Sequence, residues 1–198
     1  GDGHIAVRSV RGLRFAFVGL SGVGNAVDRT ALHTLIHQAR AQADVVIVQF
    51  HWGKEYETYP LSTAGVAPDD PRVIGRLAID DGADLVIGNH PHCVQGSEGF
   101  KGKLIAYAHG NFIFDQDWST GTMEGVVGVY TFSGTTLVAV RSVPTRIADN
   151  TWVVRPLDPT TGEGAAILAR MLRSTAELAG TRAPIHRPDL SNGQNACT

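Results

Sequence analysis

The sequence predicts an α/β domain in which parallel βαβ units are followed by an antiparallel meander. Three observations carry this. Continuous β-rich apolar runs at 45–50, 85–87 and 104–108 suit strands buried on both faces, as in a sheet covered by helices. Between these runs lie an apolar stripe at helical spacing (Ala31, Leu32, Leu35, Ile36, Ala39) and a second helix opened by Asp70-Pro71. From residue 126 the pattern becomes a meander, with strands at 126–132, 137–143 and 152–155 and a tight turn at Ser133-Gly134.

The elements follow in order. Residues 7–10 and 13–20 read as two strands joined at Arg11-Gly12, and Asp28 is a natural N-cap for the first helix. Strand, glycine turn, helix and strand 45–50 make one βαβ unit, which implies parallel neighbours. A polar loop at 51–70 precedes the helix that runs to about Asp80, and Gly82 ends it before the strand at 85–87. The β-rich runs 104–108 and 112–114 come next, and the last helix is expected over 165–179.

At 198 residues the chain has room for one domain with a real core, placed at 1–180, and a polar tail at 181–198 that orders only if it docks. Hydrophobic content of 43% with 18% charged residues is ordinary for a globular domain, and a net charge of −2 argues against a nucleic-acid partner. No apolar run is long enough to span a membrane. Two cysteines do not make a disulfide framework. Cys93 reads as a small buried apolar residue beside a histidine pair, and spacing alone cannot place it against Cys197.

Each of the three apolar runs ends in a polar cluster: His51 and Glu55, then Asn89, His90 and His92, then His109, Asn111 and Asp115. The carboxyl ends of parallel strands are where open α/β sheets hold their ligands. In His90-Pro91-His92 a proline stiffens the turn between two imidazoles, and His51 ends the neighbouring strand of the same sheet. Three neutral imidazoles suit Zn, Mn or Fe better than Mg or Ca, which prefer oxygen. Glu55 is placed for proton transfer and Tyr56 for hydrogen bonding to a substrate, although Glu55 could equally pair with a loop cation. Trp52 is expected in the core, and Asn111 is expected to orient a histidine. Two other patterns are weaker. Gly22-x-Gly24 lacks the third glycine of a dinucleotide fingerprint, and His33 and His37 lack the glutamate of a His-Glu-x-x-His site, so a plain turn and a solvated helix face are expected there.

Three stretches together resemble one family. His-Trp-Gly-x-Glu-Tyr-x-x-x-Pro from His51, Gly-Ala-Asp-x-Val-Ile-Gly-x-His-Pro-His from Gly82 and Ile-Ala-Tyr-x-x-Gly-Asn-Phe-x-Phe-Asp from Ile105 are similar to the CapA family of poly-γ-glutamate capsule proteins. That family resembles the calcineurin-like metallophosphoesterases. The resemblance implies part of a four-layer α/β/β/α sandwich, with His51, His90 and His92 as metal ligands; the residues themselves put Glu55 and Asn111 beside them as the catalytic candidates. Asn89 stands where the family motif usually has a further histidine. Nothing before His51 matches the acidic residues that complete the family's metal centre, so the chain is expected to be the second half of the family fold.

What the resemblance implies for function divides in two. One expectation is a divalent metal, dinuclear in the complete protein, hydrolysing a phosphoester or related bond, with the enzyme class uncertain until the other half is supplied. The other is a non-catalytic component that binds the anionic polymer or capsule-synthesis membrane proteins. A half-sandwich should expose apolar sheet, so association with the missing segment or with itself is expected. An extracellular, membrane-anchored location is implied for the full-length protein.

Overall fold

Two tight turns and two capped helices set the chain's course through a six-stranded sheet. The computed structural model describes residues 4–148, 151–180 and 197. Strands β1 (His4–Val10) and β2 (Leu13–Ser21) form an antiparallel hairpin through Arg11 and Gly12, both at positive φ. Helix α1 (Arg29–Gln42) starts where Asp28 accepts from the Thr30 and Ala31 amides, and α2 (Pro71–Asp80) where Asp70 accepts from Arg72. These caps hold backbone donors that a helix start leaves orphaned. Strands β3 (Val45–His51) and β4 (Leu85–Asn89) complete two parallel βαβ units, and β6 (Lys103–Ala106) adds a third parallel neighbour.

The order across this sheet is β1-β2-β3-β4-β6-β5. Strand β5 (Ser97–Phe100) pairs antiparallel with β6 at the edge, a hairpin that the glycine-rich segment did not advertise. The run 104–108 is only half strand: Tyr107 and Ala108 are buried but leave the ladder. Residues 112–114 form an exposed loop, not a strand. The meander is a three-stranded antiparallel sheet of β7 (Glu124–Ser133), β8 (Thr136–Ile147) and β9 (Val154–Pro156), with a bulge at Thr131/Phe132. Helix α3 (Gly162–Leu178) packs on both β5 and β8 and joins the two sheets along one edge.

The pleat sorts the core into two layers. Ala16, Val18, Val46, Val48, Phe50, Val86 and Ile105 face α1 and α2, while Phe15, Phe17, Val45, Ile47, Leu85 and Ile87 face Tyr130, Phe132 and Leu137 of the second sheet. Alternate residues of one strand point to opposite faces, so each parallel strand must be apolar throughout to be covered on both sides. The architecture is mixed α/β, with helices, parallel sheet and antiparallel sheet stacked as the α/β/β part of a sandwich. Against the second sheet the cover is incomplete. A cavity of about 680 Å³ opens between the sheets, lined by residues that include Leu13, Phe15, Phe17, Ile87, Tyr130 and Phe132.

Two buried groups fix the sheet's middle. The Asp84 carboxylate accepts from the Val46 amide at 2.9 Å and from Lys103 Nζ at 2.7 Å, and also pairs with Arg40. Burial alone would raise its pKa, but Lys103, the Val46 amide and Arg40 outweigh this and hold it below the usual carboxylate value. The aspartate of the Gly-Ala-Asp stretch thus ties β3, β6 and α1 together. At the other end of β4, Trp52 is buried in the core as expected, stacks on Phe50 at 4.6 Å and donates from Nε1 to the Tyr107 carbonyl at 3.0 Å.

Gly88 lets this junction close. A Cβ there would stand 2.1 Å from both Trp52 Nε1 and the Tyr107 oxygen. Gly88→Ala should therefore break the Trp52–Tyr107 bond and cost about 3 kcal/mol or more, read as a drop in the urea midpoint at unchanged slope.

Candidate metal centre

The site forms where β3 and β4 end side by side. Their parallel register sets His51 opposite Asn89, which brings the next residue, His90, against His51 with ring centroids 4.5 Å apart. His92 follows across the buried Pro91, its ring 5.9 Å from that of His90. The turn is strained: His90 has φ 110 and His92 φ 59, left-handed values that cost a non-glycine residue about 1–2 kcal/mol each. Tyr56, at φ 63, donates its amide to the Pro91 carbonyl at 2.7 Å and so carries Glu55 to the same place. Such conformations persist only where the surrounding structure holds them.

One metal-binding atom each from Glu55, His90 and His92 lie within 4.8 Å of one another, the only such group among the described residues. His51 stands beside this group through its contact with His90. The structure thus brings His90 and His92 together with Glu55 and leaves the expected third histidine, His51, outside this group, in ring contact with His90.

Three features of the donor set suit a divalent cation. His90 Nε2 is buried and has no hydrogen-bond partner. A buried polar atom left so costs about 1–3 kcal/mol, unless something else satisfies it. His92 has a fixed tautomer. The Asn111 amide nitrogen donates to the Thr122 carbonyl at 2.8 Å and to Gln116 Oε1 at 3.2 Å, which leaves its Oδ1 to accept from His92 Nδ1 at 2.9 Å. That leaves His92 Nε2 facing Glu55 Oε1 at 3.7 Å, with room between them for a proton or a cation. Finally, burial holds the His90 pKa down at about 4, helped by repulsion from His51 and His92, so the ring is a neutral donor near pH 7. His51 is lowered by burial and by His92, with Glu55 opposing.

An aromatic wall flanks the group. Phe114 lies 5.0 Å from His92, and Tyr56 packs on His92 at 5.8 Å and edge-on to Trp118 at 5.0 Å. Burial, then Glu55, raises the Tyr56 pKa against the Gln116 hydrogen bond, so its hydroxyl stays protonated and can donate. The sequence reading missed Gln116, Thr122, Phe114 and Trp118. Only their closeness in sequence to Asn111 could have pointed to them.

Other candidates take different places. His109 Nε2 meets the Tyr130 hydroxyl at 2.8 Å and stays outside the histidine group, its pKa lowered by burial. Asp115 is exposed and lies outside it, and Asn89 is exposed at the end of β4, opposite His51. The Gly22 and Gly24 amides are taken by the His51 and Val66 carbonyls, so the glycine turn is structural. His33 and His37 sit on the exposed face of α1, where His33 Nδ1 meets Asp81 at 2.8 Å. Cys93 is buried as expected but is bonded to Cys197, with Cα atoms 5.2 Å apart. The rest of the predicted tail lies outside the described residues.

Residues 4–116 match the profile of a family described as bacterial capsule synthesis protein PGA_cap, more than half of the chain. The chain belongs to the PGA_cap family. Over 128 residues it is 35% identical to the PGA biosynthesis protein CapA of Bacillus subtilis (strain 168), a match that takes in 58% of this chain and 32% of that one. With the capsule biosynthesis protein CapA of Bacillus anthracis it is 33% identical over 141 residues, 64% of this chain and 31% of the other. This PGA_cap chain therefore spans about a third of the length of these curated relatives in the matched region. A hypothetical protein from Thermus thermophilus has a similar fold, with a TM-score of 0.50 at 15% identity over 78% of this chain and 62% of that one. No helix among the described residues is long and apolar enough to cross a membrane.

The His90 pKa carries a prediction about acid stability without metal. Unfolded, a histidine titrates near 6.5, and folded His90 near 4, so between these values the unfolded chain binds more protons. His90's contribution to stability should be complete above about pH 6.5 and be lost as pH falls toward 4. Denaturation midpoints measured across this window should flatten in His90→Gln.

Proposed function

We propose that this chain provides the histidine-rich side of a metal-dependent hydrolytic centre in a capsule synthesis protein, acting on a phosphoester or a related bond. The observation that carries this reading is the buried, unpartnered Nε2 of His90, set beside His51 and beside a His92 whose Nε2 faces Glu55. His51, His90, His92 and Glu55 would hold a Zn, Mn or Fe ion. When bound, such an ion supplies Lewis acidity toward a phosphoryl oxygen.

The chain's own groups divide the remaining tasks. Asn111 holds the His92 ring and its tautomer, and Thr122 and Gln116 hold Asn111. Glu55, 42% exposed at its side chain, can take or return a proton at its outer carboxylate oxygen. Tyr56 can donate to a substrate oxygen, and Phe114 and Trp118 keep one side of the site apolar. Glu55 is the one carboxylate in the group among the described residues. A dinuclear centre, whose metals sit about 3.5–4 Å apart, would need further acidic ligands from the rest of the protein.

The same reading places the protein at the cell surface, bound to an anionic polymer or to capsule-synthesis membrane proteins. The Cys93–Cys197 disulfide supports an oxidising compartment. The open cavity between the sheets is proposed to take apolar surface from the remainder of the protein. Light scattering of the isolated chain should show self-association that falls away when Phe15 and Phe17 are both changed to Ser.

Metal content of the purified chain, compared with His90→Ala/His92→Ala after adventitious ions are removed, tests the centre. Near-stoichiometric metal lost in the double variant is expected, and Asn111→Leu should weaken binding about 10-fold through the freed His92 ring. Absence of metal from the wild-type chain would turn the reading to a non-catalytic component that binds polymer or partners.

A further inference from the structure

We infer that the Cys93–Cys197 disulfide is a clasp that holds the strained His90-Pro91-His92 turn in its metal-ready shape, which makes residue 197 part of the site's scaffold. The inference rests on the reading of this cluster as a metal centre.

The connections close into a ring. Cys93 directly follows His92 in sequence and is bonded to Cys197. The Cys197 amide donates to the Tyr56 carbonyl at 3.3 Å, and the Tyr56 amide donates to the Pro91 carbonyl at 2.7 Å. Pro91, His92, Cys93, Cys197 and Tyr56 are thus joined end to end by covalent and hydrogen bonds around the His92 backbone. The two sulfurs and the Tyr56 side chain form a separate small buried cluster, with Cys93 fully buried and Cys197 5% exposed.

The strain lies in the same ring. Four of the seven non-glycine residues at positive φ among the described residues are Tyr56, His90, His92 and Cys197. Such conformations persist only where the surroundings over-determine them. The strand ends fix His90 from one side, through the β3–β4 register. From the other side the clasp fixes His92, and Asn111 fixes its ring. Cutting the clasp leaves the turn held by the Tyr56 amide bond to Pro91, by Asn111 on the His92 ring and by the Val94–His109 bridge beyond it. The turn is then free to relax out of the left-handed region and to move Nε2 of His92 away from Glu55.

Two ways of opening the clasp test this. In the first, Cys93→Ala/Cys197→Ser removes the bond. In the second, a dithiol reduces it: two electrons and two protons pass to the two sulfurs, giving two thiols, and the dithiol leaves as its cyclic disulfide. A third variant, Ile36→Ala, removes buried volume in the helix-facing core instead, and serves as a control for lost global stability.

Amide hydrogen exchange at Tyr56 and at residue 197, the two hydrogen-bonded amides of the ring, should speed up at least 10-fold in both clasp-opened forms, with far-ultraviolet circular dichroism unchanged. Ile36→Ala should leave those amides in step with the rest of the chain. Co²⁺ affinity, followed by its visible absorption band, should fall about 10-fold on opening the clasp and hold in Ile36→Ala. Unchanged exchange at these amides would overturn the clasp, as would equal loss of Co²⁺ affinity in the control. If the wild-type chain takes up no Co²⁺, the metal reading fails by itself, and the exchange result still decides the clasp.

Discussion

The parallel register between β3 and β4 is the constraint on which the site depends. It sets His51 opposite Asn89 and so delivers His90 to its neighbour without any contact between the side chains having to arrange it. That register is itself held by groups far from the histidines. Asp84 pins the start of β4 to the Val46 amide, and Trp52 crosses the end of β4 to reach Tyr107, over a glycine with no room for a methyl group. A slip by one residue would exchange the faces of an entire strand, so the core and the site share one set of determinants. The reactive residues occupy the strand ends because only there does the backbone leave the sheet and expose side chains on a rigid base.

The parts of the fold legible in sequence were those governed by local physics. Asp28 and Asp70 announced their helices because a carboxylate ahead of an apolar stripe satisfies orphaned amides. The buried parallel strands showed as unbroken apolar runs. The β5–β6 hairpin did not, because Ser97–Phe100 pairs one glycine and one glutamate with a single aromatic residue and owes its strand form to pairing at the edge and to α3 beside it. Residues 112–114 misled in the opposite sense, being strand-like in composition yet exposed beside the histidines.

The candidate site was legible to the extent that its polar groups sit at or just beyond strand ends. His51, His90, His92 and Glu55 could be named from that rule. The supporting network could not be, since the bond from Asn111 to Thr122 and the bridge from Cys93 to Cys197 join residues whose separation in sequence carries no signal. Tertiary packing alone reveals them. His109 illustrates the converse error: it closes an apolar run as the others do, but the chain turns it toward Tyr130 on the second sheet.

Strand β1 forms the margin of the large sheet, and among the described residues nothing pairs with its outer side. Its outward amides and carbonyls, apart from the Val7 carbonyl that accepts from the Arg8 side chain at 2.9 Å, could extend the ladder with strands from neighbouring molecules. Within that margin Arg8 lies exposed between Val7 and Ser9, a charge that adjoining copies would have to bring together. This positive residue on the sheet's margin thus bears on colloidal behaviour more than on the fold, discouraging edge-to-edge growth of the sheet.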